Sequence, residues 1–298
     1  MNQAELDDIL DQDVDITAPC GVDLSGADLS GLNLSGRTLY RANLCGARLV
    51  GVRAKNACFD RANMVGVDAS KAIFDDCKMT GIVATDINLR GSKINGVDFT
   101  EADFTGANLR EIKFTETHML KVNLTKANMD NSIFERCRLY KANLNAASVV
   151  LAEFVECDLS WVMAIRANLS DSKFGISNFS HSNLTEAAMD RVHLIRCDFS
   201  KSLVVGVEMF NSVMTQCHIP WADWRAVNAC GAYWTDCQFH HSSLRGLGLT
   251  WTNLTRVNFT GADLTGADFT SSVVEGIVVS ETILDHIVTD KSNFPTMD

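Results

Sequence analysis

Large apolar residues recur at every fifth position along almost the whole chain, from Leu24 to Phe294. Of these 55 positions, 54 are apolar, and Thr289 is the exception. An amphipathic helix repeats every three or four residues and a strand every two, so a strict period of five fits neither element. A short fixed repeat is typical of a solenoid, in which each turn of the chain covers the apolar face of its neighbours.

The position two residues before each apolar centre follows the same repeat. It carries small or medium-sized residues such as Ala, Val, Cys and Ser, and Arg37 is its only charged member. The positions between are mostly Asp, Asn, Ser, Thr, Lys, Arg and Gly, and residues 261–270 show the unit twice in succession. We therefore predict that the apolar centre and the residue two before it point inward, while the other three face solvent.

Clean copies of the unit are Ala27-Asp28-Leu29, Ala42-Asn43-Leu44, Ala142-Asn143-Leu144 and Ala262-Asp263-Leu264. This pattern resembles the pentapeptide-repeat family, known from bacterial proteins. The resemblance implies an all-β fold: a single right-handed, quadrilateral β-helix with about 20 residues per turn. From the unbroken repeat we predict three segments. Residues 1–21 form an acidic capping helix and lead-in, residues 22–294 the uninterrupted β-helix, and residues 295–298 a C-terminal tail.

Residues 4–10 are predicted to form a short amphipathic helix, because Leu6, Ile9 and Leu10 fall on one helical face. The open end of a solenoid exposes core residues and an unpaired strand edge, so it requires a cap. We interpret this helix as the N-terminal cap. Arg37 occupies an inward position in the first full turn and is expected to reach toward the acidic cap, because an unpaired buried cation is costly.

A spacing of 20 residues sorts the aromatic centres into columns. Phe74, Phe114, Phe134, Phe154 and Phe174 fall on one side, and Phe59, Phe99, Phe179, Phe199, Phe239 and Phe259 on the next. We predict that these rings stack in offset geometry. Ala229 lies between Trp224 and Trp234 in one turn, where two indoles leave room for only a methyl group.

Six cysteines share one inward position: Cys77, Cys137, Cys157, Cys197, Cys217 and Cys237. One interpretation is a thiol column for metal or redox chemistry, and the other is packing of a small, commonly buried residue. Buried thiols are poor nucleophiles, which favours packing. His181 and His241 share a corner three turns apart, too far to hold one ion. We predict no metal, no cofactor and no catalytic residues, so the protein is expected not to be an enzyme.

Outward positions become apolar between residues 150 and 251. Strand propensity explains branched and aromatic residues in general, but it does not explain Trp and Phe at exposed corners. Contiguous exposed apolar surface usually marks a partner site. The candidate protein-binding residues are Val150, Leu151, Trp161, Met163, Ile165, Leu203, Val205, Phe210, Trp221 and Trp251.

The last turn of the repeat also carries apolar outward residues, with no predicted helix after it. Two interpretations remain open: the short tail folds across the open core, or this end forms a homodimer, as the family resemblance implies. The candidate cap or dimer residues are Val273, Val278, Ile283, Val288 and Phe294.

The net charge of −11 is unevenly placed. Residues 1–19 carry −6, residues 257–298 carry −6, and residues 20–256 carry +1. The resemblance implies binding of type II topoisomerase as an acidic mimic of duplex DNA, which is how the quinolone-resistance members act. A nearly neutral shaft disfavours that function.

The leading hypothesis is a non-enzymatic, rod-shaped scaffold that binds a protein partner through the 150–251 patch. The alternatives are topoisomerase binding and a role as a bacterial secretion-system accessory or effector. We expect no direct nucleic-acid binding. The chain has no run of about 18 apolar residues that would span a membrane. Its first residues lack the basic and apolar regions of a signal peptide, so we expect a cytoplasmic protein.

Overall fold

The five-residue repeat produces a regular solenoid in the computed structural model, which describes residues 1–11 and 21–295, without the side chains of Leu10 and Asp11. The chain divides into two compact units, Met1–Ser148 and Val149–Asp298. In the first unit, α1 spans Gln3–Asp11, and β1 to β5 span Arg53–Lys55, Ile73–Asp75, Lys93–Asn95, Lys113–Thr115 and Ile133–Glu135. In the second unit, β6 to β12 span Glu153–Val155, Lys173–Gly175, His193–Ile195, Val213–Thr215, Tyr233–Thr235, Asn253–Thr255 and Val273–Glu275. Within each unit, successive strands pair in parallel in sequence order.

Strand pairing fixes the length of one solenoid turn. Ala54 pairs with Phe74 across β1 and β2, and isolated parallel bridges such as Asn43 to Asn63 keep the same offset of 20 residues on the other sides. A tight turn ends each five-residue unit, as where the Ala27 N–H donates to the Leu24 carbonyl at 3.1 Å. Four units therefore complete one turn, which confirms a four-sided solenoid. Below, residues separated by 20 positions form a column, and the two residues after each apolar centre form a corner.

Where Asp or Asn precedes an apolar centre, its side chain stabilises the corner that follows. Oδ1 of Asp23 accepts the N–H of Ser25 at 3.0 Å, which is the side-chain bond of an Asx turn. Asn63 also donates its side-chain amide to Oδ1 of Asn43, one turn away, at 3.1 Å. The polar residue of the repeat thus closes its own corner and links neighbouring turns.

The predicted inward residues form the core of each unit. In the first unit the rings of Phe114 and Phe134 stack with centroids 4.8 Å apart, and in the second unit Phe179 and Phe199 stack at 4.7 Å. Both pairs are fully buried, which confirms the predicted aromatic columns within each unit.

Trp224 and Trp234 share one turn of the second unit with a small residue between them. Their indole rings meet edge to face with centroids 6.2 Å apart. Ala229 is fully buried in the same turn. The arrangement matches the predicted compensation of two large side chains by one small one.

Helix α1 begins with a reciprocal pair of hydrogen bonds. Oδ1 of Asn2 accepts the N–H of Glu5 at 2.9 Å, and Oε2 of Glu5 accepts the N–H of Asn2 at 2.9 Å. This capping box explains why the helix starts one residue earlier than predicted, at Gln3. Leu6 is fully buried and Ile9 is half-buried, as expected for the inner face of a cap.

Helix α1 is also tied to the first turn of the solenoid by polar contacts. The half-buried Arg37 guanidinium donates to Oδ1 of Asp7 at 2.7 Å, which confirms that this inward cation reaches the acidic cap. The Leu10 side chain, residues 12–20 of the predicted lead-in and residues 296–298 of the predicted tail lie outside the described residues.

Candidate protein-binding surface

Six of the ten candidate residues share one side of the second unit and its two bordering corners. We call them the corner face: Trp161, Met163, Ile165, Leu203, Val205 and Trp221. Met163 and Leu203 belong to one column, joined through bridges to Asn183 between them, so their backbones lie about 10 Å apart. Both side chains are exposed. Ile165 and Val205 are half-buried beside them.

The other four candidates lie on another corner of the second unit, diagonally across from the corner of Trp161 and Trp221 but only one side away from the corner of Ile165 and Val205. Val150 and Phe210 occupy one column of that corner, and Leu151 and Trp251 occupy the next. Phe210 is half-buried, while Trp251 is the most exposed large apolar side chain, at 70%. The structure therefore spreads the predicted patch over three successive corners, because the sequence interval that joins these residues wraps around the solenoid.

Five exposed apolar residues occupy corner positions with a left-handed backbone. Their φ angles lie between 51° and 60° at Ile176 and Trp161, with Leu151, Trp221 and Trp251 between these values. Such a conformation costs a residue with a Cβ about 1–2 kcal/mol, and it is most unusual for bulky or β-branched side chains. All five lie in the second unit. In the first unit, the same positions from Gly26 to Ala146 hold Gly, Asn, Ala or charged residues.

Two histidines that the sequence did not single out as partner residues complete the corner column of Trp161 and Trp221. The rings of Trp161 and His181 stack with centroids 4.5 Å apart and planes inclined by 8°. Trp221 and His241 repeat the arrangement at 4.4 Å and 23°. The 20-residue spacing from each Trp to its His is visible in the sequence and becomes informative once the turn length is known.

A shallow notch opens on the strand side of the second unit. Gly175 lies between Val155 and Ile195 in one outward column, and a Cβ added to Gly175 meets no atom within 4 Å. The notch has a volume of about 340 Å³, with Lys173 and His193 along its border. The depression exists because Gly175 has no side chain. A search of the sequence for exposed apolar residues therefore does not find it.

The last turn contains the candidate cap or dimer residues. Val273, Val278, Ile283 and Val288 are all exposed. Phe294 differs from them, because it is largely buried, with its ring centroid 4.6 Å from that of Phe269. Phe294 thus covers part of the core, while the four aliphatic residues remain on the surface.

Cysteines of the predicted column are buried in both units. Burial raises the pKa of the Cys77 thiol to about 11. A hydrogen bond with Cys217, together with burial, raises the pKa of Cys197 above its usual range. Among residues 1–11 and 21–295, no cluster of three or more His, Cys, Asp or Glu side chains is arranged to hold a metal ion. Over the same residues, no helix is long and apolar enough to cross a membrane.

Comparison with known proteins recognises the five-residue repeat. The family model for pentapeptide repeats matches in eight copies, over residues 21–64, 39–81, 85–119, 121–150, 177–216 and 232–270. Full-length QnrB1, a plasmid-mediated fluoroquinolone resistance protein, is 17% identical, with a TM-score of 0.34 over 69% of this chain and 92% of that chain. HetL, a pentapeptide repeat protein involved in heterocyst differentiation regulation from the cyanobacterium Nostoc sp. strain PCC 7120, is 18% identical, with a TM-score of 0.25 over 93% of this chain and 91% of that chain. No curated protein sequence matches the chain. The residues that match the repeat model make up more than half of the sequence, and the chain therefore belongs to the pentapeptide-repeat family.

Proposed function

We propose that this chain is a non-enzymatic repeat protein that binds a protein partner through the corner face of the second unit. The observation that carries the proposal is the placement of Trp161 and Trp221 at corners whose left-handed backbone disfavours large side chains. The left-handed corner recurs along the solenoid, but among the described residues exposed Trp, Leu and Ile side chains occupy it only in the second unit. Exposed Met163 and Leu203 extend the same surface, and neighbouring apolar side chains of this size are typical of an interface.

The test is capture of a partner from an extract of the native host by immobilised protein. Replacing both Met163 and Leu203 with Ser is expected to abolish capture while leaving Tm nearly unchanged, because exposed substitutions usually shift stability by less than about 0.5 kcal/mol. Val83→Ser is the matched control, since Val83 occupies the same column in the first unit and is 45% exposed, against 39% for Met163 and 43% for Leu203. Equal capture by the double variant and the control contradicts the proposal.

The identity of the captured protein decides between this function and its two alternatives. Subunits of a type II topoisomerase support the DNA-mimic hypothesis, and secretion-system components support the accessory or effector role. A DNA mimic also needs exposed carboxylates without counter-ions. In the second unit, Arg191 forms two hydrogen bonds with Asp171 and holds the pKa of that carboxyl below its usual range, and Arg256 does the same to Asp236. These two paired carboxylates are therefore poor mimics of free phosphates.

We also propose a homodimer through the last turn of the second unit, because that turn is exposed on both faces. Val278, Ile283 and Val288 point outward, and the inward Val279 and Leu284 remain half-exposed. The N–H groups of Val279 and Leu284 make no hydrogen bond to another residue that the structure describes. Light scattering of Ile283→Glu tests this proposal, with Val83→Glu as control: only Ile283→Glu is expected to yield monomers, and a monomeric wild type contradicts it.

A further inference from the structure

The aromatic rings of the corner face present their edges, not their faces, to a partner. Trp161 stacks on His181 and Trp221 on His241, so each pair covers one ring face of both members. What remains outward is a row of ring edges with polar hydrogens. The Trp221 indole N–H has no hydrogen-bond partner among the residues that the structure describes, so it is available to an acceptor on a bound molecule.

Gly261 makes room for the second stack. A Cβ added at Gly261 lies only 2.3 Å from Nδ1 of His241, and its φ of +68° also favours glycine. His241 therefore fills the space above Gly261 and is held against Trp221. Rigid aromatic side chains lose little entropy on binding, so this arrangement suits an interface.

The charge of this surface differs from that of the second unit as a whole, which has 17 acidic and nine basic residues, net −8. Between residues 160 and 266, the corner face and its borders hold three acidic residues, each paired with an arginine: Glu186 with Arg166, Asp223 with Arg225, and Asp263 with Arg245. Glu281 and Asp285, which have no ion-pair partner among residues 1–11 and 21–295, follow only in the last turn. Lys201, in the column between His181 and Trp221, forms no ion pair with any described residue. One uncompensated cation and the Trp221 N–H donor thus border the exposed Met163 and Leu203 side chains.

We infer that the corner face takes an acidic segment of a protein, in which carboxylates alternate with apolar side chains. Its apolar side chains cover Met163 and Leu203, and its carboxylates meet Lys201 and the indole N–H of Trp221. Complementary charge directs the encounter and the register, while the apolar contact supplies most of the affinity. This inference rests on the proposed function and adds to it the chemical class of the partner.

Selection from a random-peptide display library on the full chain tests the class of ligand directly. Peptides retained by wild type and lost on the Met163→Ser, Leu203→Ser double variant define the occupants of the corner face. We expect these peptides to be enriched in Asp and Glu next to Leu, Ile or Phe. Enrichment of basic or neutral peptides, or no enrichment, overturns the inference.

Charge reversal then separates the two proposals. Lys201→Glu is expected to weaken binding of a selected peptide about tenfold and to reduce the dependence of Kd on salt, because it places like charges together. Lys173→Glu, an exposed cation on the strand side of the same unit, is the control and is expected to change neither. If native partner capture is lost in the Met163→Ser, Leu203→Ser variant but is unaffected by Lys201→Glu, the protein-binding function stands and the acidic class is wrong. If neither variant changes capture, the proposed function itself fails.

Discussion

The side-chain amide of Asn293 pairs with both backbone groups of Val274, the central residue of β12. The Val274 N–H donates to Oδ1 of Asn293 at 2.6 Å, and Nδ2 of Asn293 donates to the Val274 carbonyl at 2.8 Å. The amide thus takes the place of the strand that a further turn would supply. Gln3 does the same in the first unit, where its amide bonds both the N–H and the carbonyl of Asn33. Each pairing blunts an otherwise open strand edge.

Asn293→Ala is expected to lower the free energy of unfolding by about 1 kcal/mol, because each lost hydrogen bond contributes about that amount or less at a partly exposed site. The local effect is sharper: hydrogen exchange at the Val274 amide should become faster, while exchange at Leu254 in β11 stays protected. Lys291→Ala is the control, since Lys291 is exposed in the same segment. Unchanged exchange at Val274 argues against Asn293 as the terminal cap.

Ala229→Leu is expected to destabilise the second unit by about 1–3 kcal/mol, because the added atoms must displace Trp224 or Trp234 from a filled layer. The denaturant midpoint should fall accordingly. Ala188→Leu provides the comparison, as Ala188 is a half-buried outward residue and tolerates a larger side chain. Equal midpoints for the two variants mean that the three residues do not fill one layer.

Trp251→Gly is expected to be more stable than Trp251→Ala by about 1 kcal/mol, because only glycine adopts the left-handed corner without a Cβ penalty. Trp251 has a φ of 59° and is highly exposed, so little packing is lost in either variant. Thermal unfolding of both variants measures the difference. A Gly variant no more stable than the Ala variant shows that this corner relaxes when the indole is removed.

The thiol column is expected to stay reduced and unreactive in the native protein. At about pH 8, iodoacetamide should label the exposed Cys45 quickly and leave Cys77 and Cys197 unmodified, since burial keeps both as neutral thiols. Denaturant should expose all of them to labelling. Native mass spectrometry is expected to show no bound zinc, and stoichiometric metal or rapid labelling of Cys197 contradicts a packing role.

The repeat, together with the four-sided turn of about 20 residues that the family resemblance implies, was sufficient to predict the fold. The fifth-residue centres, such as Phe114 and Phe134, identify the inward positions. Where Asp or Asn precedes a centre, as at Asp23, its side chain closes the next corner. A period of five with no insertion leaves no freedom in register, so the stacked Phe columns and the contact of Arg37 with the acidic cap were predicted from the sequence, whereas the structure identified Asp7 as the partner.

Only the tertiary structure decided which surface residues act together. Trp161 and Phe210 looked like members of one patch, but the winding of the chain places them on opposite corners. The stacking of His181 on Trp161, the room that Gly261 leaves for His241, and the Asn293 amide that ends β12 depend on atoms brought together from different turns. A repeat sequence determines what points inward, because every turn buries the same positions. It does not determine how the outward side chains contact one another, because no close-packed core fixes their orientation and only the structure shows where each ring comes to rest.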